Sequence, residues 1–166
     1  MMFQSCLVLC FLFIQHVLCE YTINIGTCSN DSAESERPAF HASLVKHPYT
    51  FSDRGGEILK FEHVWTNIGN GYNPTTGIFT ATQSGMYFVM ATMYSVQTYQ
   101  CHAYLYKNDV RLNYGYAGTH NADSGTMHAV VTLQKGDKIY VKHRGGDNIA
   151  DQCHGVYHSE FSGFMI

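Results

Sequence analysis

The 166-residue chain carries 10 Lys and Arg against 13 Asp and Glu, a formal net charge of −3, and neither sign forms a long block. Without a basic face the chain lacks the footprint of a nucleic-acid partner, and with 14% aromatic residues it is compositionally globular, not disordered. The length suits one domain with a core of its own.

Leu7 to Ile14 form an apolar run between "MMFQSC" and "QHVLC". Such a run suits a secretory signal and is too short for a membrane span, which needs about 20 residues. We assign residues 1–19 to a signal peptide cut after Cys19, although no Lys or Arg precedes the apolar run. No later stretch is long and apolar enough to span a bilayer, so the mature chain is expected to be secreted and extracellular.

Residues 20–36 lack sustained periodicity and read as a flexible leader. Within it Asn30-Asp31-Ser32 is an N-glycosylation acceptor pattern, which makes Asn30 a candidate glycosylation site. Loss of the signal would remove Cys6, Cys10 and Cys19 and leave Cys28, Cys101 and Cys153 in an oxidising compartment. The favoured pair is Cys101 with Cys153, which closes a loop of about 50 residues and stabilises by about 4 kcal/mol on the chain-entropy account. Cys28 is then free to join chains together.

Residues 37–166 read as one strand-rich domain of period two. "GNGYNPTTGIFTATQSGMYFVMATMY" gives loop, strand, turn, strand, with Asn73-Pro74, Gly77 and Ser84-Gly85 as punctuation. "GMYFVMATMYSV" is apolar on both faces, which predicts a strand covered by a second sheet on one side and by another subunit on the other. In "TMHAVVTLQ", Met127, Ala129, Val131 and Leu133 share one face. In "KIYVKH", Ile139 and Val141 oppose Lys138, Tyr140 and Lys142; the Lys135-Gly136-Asp137 turn between these strands predicts antiparallel neighbours. No helical stripe with caps and no internal repeat is present, so the fold class is an all-β antiparallel sandwich or jelly roll.

Phe61, Asn67, Tyr72, Phe79, Gly85 and Tyr87 follow at intervals of five, four, six, five and one intervening residues. This spacing resembles the signature of the globular head of complement C1q. "RPAFHASL" resembles that family's first strand, "LYKNDV" its central strand, "LQKGDKIYV" its Gly-Asp hairpin and "FSGFMI" its closing strand. Val89 and Ala91 stand where the family pattern usually has aromatic residues, and no collagen-like run accompanies the head, which sets classical complement activation aside. The resemblance implies a ten-stranded jelly roll of the C1q and tumour necrosis factor type that assembles as a homotrimer.

His154 and His158 have a four-residue spacing that suits zinc on a helix, but on the strand expected here they would stand about 13 Å apart. No metal is therefore assigned. Calcium is a further candidate: Asp123, Asp147 and Asp151 fall in expected loops, and some family members carry calcium at the trimer. "DSG" at Asp123 to Gly125 has no nucleophile elbow around it and reads as a turn; with no phosphate loop either, the chain is not expected to be an enzyme. "VRLNYGYAGTHNADSG" reads as a binding loop in which Arg111, Tyr114, Tyr116 and His120 offer stacking surfaces and directional donors. "HRGGDNIADQCHG" reads as a second exposed loop with His143, Arg144 and Asp147. The expected function is lectin-like pattern recognition of microbial or cell-surface glycans in innate immunity; the alternative is a trimeric signalling ligand for a protein receptor.

Overall fold

The computed structural model describes residues 36–50, 56–96, 99–118, 122–145 and 152–166. All belong to one compact unit, Glu36–Ile166. The signal, the leader up to residue 35, Cys28 and Asn30 lie outside the described residues, as do His120, Asp147 and Asp151.

The period-two pattern becomes strands: β1 (Ala39–Ser43), β2 (Tyr49–Thr50), β3 (His63–Ile68), β4 (Tyr72–Asn73), β5 (Ile78–Thr80), β6 (Gly85–Val96), β7 (Cys101–Lys107), β8 (Val110–Ala117), β9 (Ala122–Leu133), β10 (Lys138–His143), β11 (Gln152–Cys153) and β12 (Glu160–Met165). They form two five-stranded sheets, β3-β1-β12-β6-β9 and β4-β5-β10-β7-β8, and a small β11-β2 ribbon. All pairings within the sheets are antiparallel. The arrangement is the expected jelly-roll sandwich, with ten strands in its two layers.

Side chains alternate in and out along each strand, so each sheet contributes one apolar face to the core. From β6, Tyr87, Val89, Ala91 and Met93 are buried; Met127 and Leu133 of β9 join them, as do Ile139 and Val141 of β10. Phe40 stacks on Phe79 at 4.6 Å and meets Phe161 edge-on at 4.7 Å. Each such buried ring is worth about 1.5–3 kcal/mol against exposure.

The family-like spacing has a local cause at Tyr72. Asn67 Nδ2 donates to the Tyr72 carbonyl at 2.9 Å, and Tyr72 N donates to Asn67 Oδ1 at 3.0 Å. This paired bond closes the turn between β3 and β4. Gly77, with φ of +74°, ends the following turn where a side chain would collide with the Leu59 carbonyl.

Three sequence expectations are corrected. β9 and β10 are not neighbours: β9 pairs with β6, while β10 pairs with β5 and β7 in the other sheet. The Lys135-Gly136-Asp137 turn exists, but it carries the chain from one layer to the other. Gly136 N donates to the Ala81 carbonyl and Lys135 N to Ser84 Oγ, tying the turn to the β5–β6 connection and not to a hairpin of its own. "VRLNYGYA" is strand β8 and not a loop, and Asp123 to Gly125 lie in β9 and not in a turn. "LYKNDV", matched to a central strand, spans the end of β7 and the turn into β8.

Candidate functional site

The outward face of β7, β8 and β10 carries a row of aromatic rings. Alternation along "CHAYLYK" sends His102, Tyr104 and Tyr106 to one side of β7, and the antiparallel register sets Tyr116 beside His102 and Tyr114 beside Tyr104. His102 stacks on Tyr116 at 4.4 Å, Tyr104 meets Tyr114 at 5.4 Å, and Tyr106 lies nearly parallel to Tyr140 at 5.4 Å. The Tyr140 hydroxyl donates to the Asn108 carbonyl, which fixes that end of the row. Burial raises the Tyr140 pKa, with Asp109 and Tyr106 adding to the shift.

Cations sit on this row. The Arg111 guanidinium lies 4.6 Å from the centre of the Tyr104 ring, and Lys142 Nζ lies 5.6 Å from that of Tyr106. A bulge opposite Leu105–Tyr106 sets Arg111 against Tyr106 and Asn113 against Leu105, so Leu112 is the extra residue. The bulge shifts the alternation and brings Arg111 and Tyr114 to the same side. Arg144 N donates to the His102 carbonyl at 3.1 Å, which anchors that residue beside the strand pair. Tyr104, Arg111, Leu112, Asn113, Tyr114 and Arg144 together line an open groove of about 420 Å³, and none of them is acidic. The groove offers two guanidinium forks, two phenol rings and an amide, a set suited to a polar ligand that carries negative charge.

The structure thus brings Arg111, Tyr114 and Arg144 together, although the sequence reading put the first two and the third in separate loops. Tyr116 belongs to the same row, on the His102 side. His143 does not join them: it is buried at the end of β10, its amide donating to the Glu57 carbonyl, so its expected place in an exposed loop is corrected. Sequence reasoning missed His102, Tyr104, Tyr106, Tyr140 and Lys142. The spacing of His102, Tyr104 and Tyr106 at every second position was the available signal.

On the opposite side of the sandwich, the outward face of β12, β6 and β9 carries an apolar patch at one end. Val130, Phe88 and Phe164 lie side by side across three strands, with Phe88 and Phe164 ring centres 5.7 Å apart. Met86, Val130, Phe164 and Ile166 are each about half exposed. The double-faced pattern of β6 is therefore covered on its inner side by the second sheet, while its outer side is bare in the single chain.

The segment holding His154 and His158 departs from the expected strand. Val156 and Tyr157 adopt φ of +53° and +65°, and the chain doubles back so that the two Nδ1 atoms stand 2.9 Å apart.

A family model for the C1q domain matches residues 39–166. This chain belongs to the C1q-domain family. It is 34% identical over 134 residues to the mouse (Mus musculus) and the human (Homo sapiens) complement C1q tumor necrosis factor-related protein 3, which covers 77% of the chain and 50% of each relative. The chain thus spans about half the length of these curated relatives. Among solved structures, the globular domain of zebrafish complement 1qA superposes with a TM-score of 0.60 at 22% identity, covering 79% of this chain and 98% of that one. Murine APRIL superposes with a TM-score of 0.60 at 15% identity, covering 79% and 100%. At these identities the two likenesses establish the fold alone.

Within this C1q domain the disulfide joins Cys101, at the start of β7, to Cys153 in β11, with 4.9 Å between Cα atoms. Of the three aspartates considered for calcium, Asp123 is described. Its Oδ2 accepts from Gly118 N at 2.7 Å and its Oδ1 from Ser124 N at 2.9 Å, so this carboxylate closes the β8–β9 connection.

Proposed function

We propose that this C1q-domain protein is a secreted, non-enzymatic recognition protein. It assembles as a homotrimer and binds acidic glycans on microbial or cell surfaces through the groove at Arg111, Tyr114 and Arg144. The observation that carries the reading is the Arg111 guanidinium over the Tyr104 ring, with Tyr114 and Arg144 on the same groove and no acidic side chain lining it. Tyrosines present flat apolar faces to sugar rings at low entropic cost, and the guanidinium forks pair with carboxylate or sulfate. The exposed apolar patch on β12, β6 and β9 supports trimer assembly, which would leave the groove on the other outer face open in every subunit. Three weak sites then act together, and Cys28 would extend the avidity by linking trimers.

The test presents the mature protein to immobilised sialylated, sulfated and neutral polysaccharides, with added calcium or a chelator. Saturable binding to the acidic sugars, competed by the free sugar, is expected. Arg111→Ala and Tyr114→Ala should each weaken binding about tenfold, in the range of one lost charge-assisted or stacking contact. Binding unchanged in both variants would reject the groove, and dependence on added calcium would assign calcium a part in it.

A second reading is favoured by the relatives, whose name contains tumor necrosis factor. In that reading the trimer engages one protein receptor. Saturable binding to a single cell-surface protein, not competed by glycans, distinguishes it.

A further inference from the structure

Three histidines from two segments meet at the end of β6, away from the tyrosine row. His154 and His158 face each other, with Nδ1 atoms 2.9 Å apart and ring centres 4.8 Å apart. The His47 ring packs on His154 at 3.9 Å, and Tyr94 meets His154 edge-on at 5.5 Å and His158 at 5.0 Å. The backbone holds the pair in place. His154 N donates to the Tyr94 carbonyl, Tyr94 N donates to Ser159 Oγ, and Ser159 Oγ donates to the His154 carbonyl. Tyr157 N donates to the Leu44 carbonyl, which fixes the left-handed turn between the two histidines.

Two imidazole lone pairs at this separation repel unless an electrophile lies between them. Either a ring N–H of one partner, donating to the other as an N–H···N bond, or a metal ion bound by both nitrogens can fill that role. We propose that His154 and His158 form a two-histidine site for a late first-row transition dication, with Cu²⁺ bound most tightly and Ni²⁺ ahead of Zn²⁺.

The spacing supports this order. Metal–imidazole bonds are about 2.0–2.1 Å long, so two at a right angle hold their nitrogens about 2.9 Å apart, whereas a tetrahedral angle needs about 3.3 Å. The first is the geometry of tetragonal Cu²⁺ and Ni²⁺ sites, and the second suits Zn²⁺. The Gly155 carbonyl, 3.0 Å from His154 Nδ1, is a nearby oxygen donor. Among the described residues no three His, Cys, Asp or Glu side chains converge on one ion, so the donors the described residues supply are the two imidazoles and this carbonyl. His47 serves as a packing neighbour.

The decisive measurement is calorimetric titration of the chelator-stripped full chain with CuCl₂, NiCl₂ and ZnCl₂ at neutral pH, joined to electron paramagnetic resonance of the Cu²⁺ form. One equivalent per chain, with nitrogen hyperfine structure from two imidazoles, is expected. His154→Ala and His158→Gln should each lose it, while His47→Ala and His128→Ala keep it. His158 is exposed, so its replacement leaves the core intact. Absence of saturable uptake, or uptake that survives the His154→Ala/His158→Gln double variant, overturns the site. Tighter Zn²⁺ than Ni²⁺ overturns the right-angle geometry.

Discussion

The Tyr72 hydroxyl is buried and bonds Phe61 twice, accepting from its N–H and donating to its carbonyl, both at 3.1 Å. Tyr72→Phe leaves both groups of Phe61 without that partner and should lower unfolding stability by about 1–3 kcal/mol, read from urea denaturation. Burial raises the Tyr72 pKa above its ordinary value of 10.0, despite the opposing bond from Phe61. A raised folded-state value means that this contribution is complete below about pH 10 and is lost as pH climbs beyond it, because the unfolded tyrosine ionises first. The Tm of the parent chain should therefore fall above about pH 10 more steeply than that of Tyr72→Phe. Phe61, Asn67 and Tyr72 were legible as a spacing in the sequence. That the spacing encodes two hydrogen-bond pairs, Asn67 with the Tyr72 backbone and Tyr72 with the Phe61 backbone, required the fold.

Strand identity was readable wherever apolar residues alternate cleanly, as in β6, β9 and β10, and less so where glycine interrupts. "VRLNYGYAGTHNADSG" looked like a loop because Gly115, Gly118 and Gly125 are poor strand formers. Gly125 is glycine because β9 passes so close to β8 that any side chain there would run into the Tyr116 backbone. Gly125→Ala should push β8 outward, lowering Tm and disturbing the Tyr116 end of the aromatic row, which tyrosine fluorescence or amide exchange in β8 would register. Partnership was the harder part of the reading. The β9–β10 turn has hairpin chemistry, with Asp137 N donating to the Gln134 carbonyl and Asp137 Oδ2 accepting from Gln134 N. Local chemistry cannot tell a hairpin from a step between layers, since both need the same reversal. The histidine pair was misjudged for a related reason: two consecutive left-handed residues, neither of them glycine, convert an extended segment into a doubled-back one.

At the scale of the molecule, the disulfide and the bare sheet face make separable predictions. Cys101→Ser and Cys153→Ser should each lower unfolding stability by about 4 kcal/mol, the loop-closure value for a separation of 52 residues. On the proposed assembly through this face, the parent chain should sediment as a trimer and Phe88→Glu or Phe164→Glu as a monomer, with the far-ultraviolet dichroism of a β-sandwich retained. The layered fold was legible from alternation and signature spacing; the candidate groove was legible in part, because Arg111, Tyr114 and Arg144 converge only through a bulge and a neighbouring strand. The first sheet, in the order β3-β1-β12-β6-β9, places β12 at its centre although it is the latest of these strands in the chain. During synthesis β1 and β6 emerge from the ribosome long before the strand that separates them, and each presents an open edge while it waits. This layer closes only once Glu160–Met165 is in place, so a chain stopped before Glu160 is expected to aggregate instead of forming a smaller domain, which size-exclusion chromatography of the truncated chain would check.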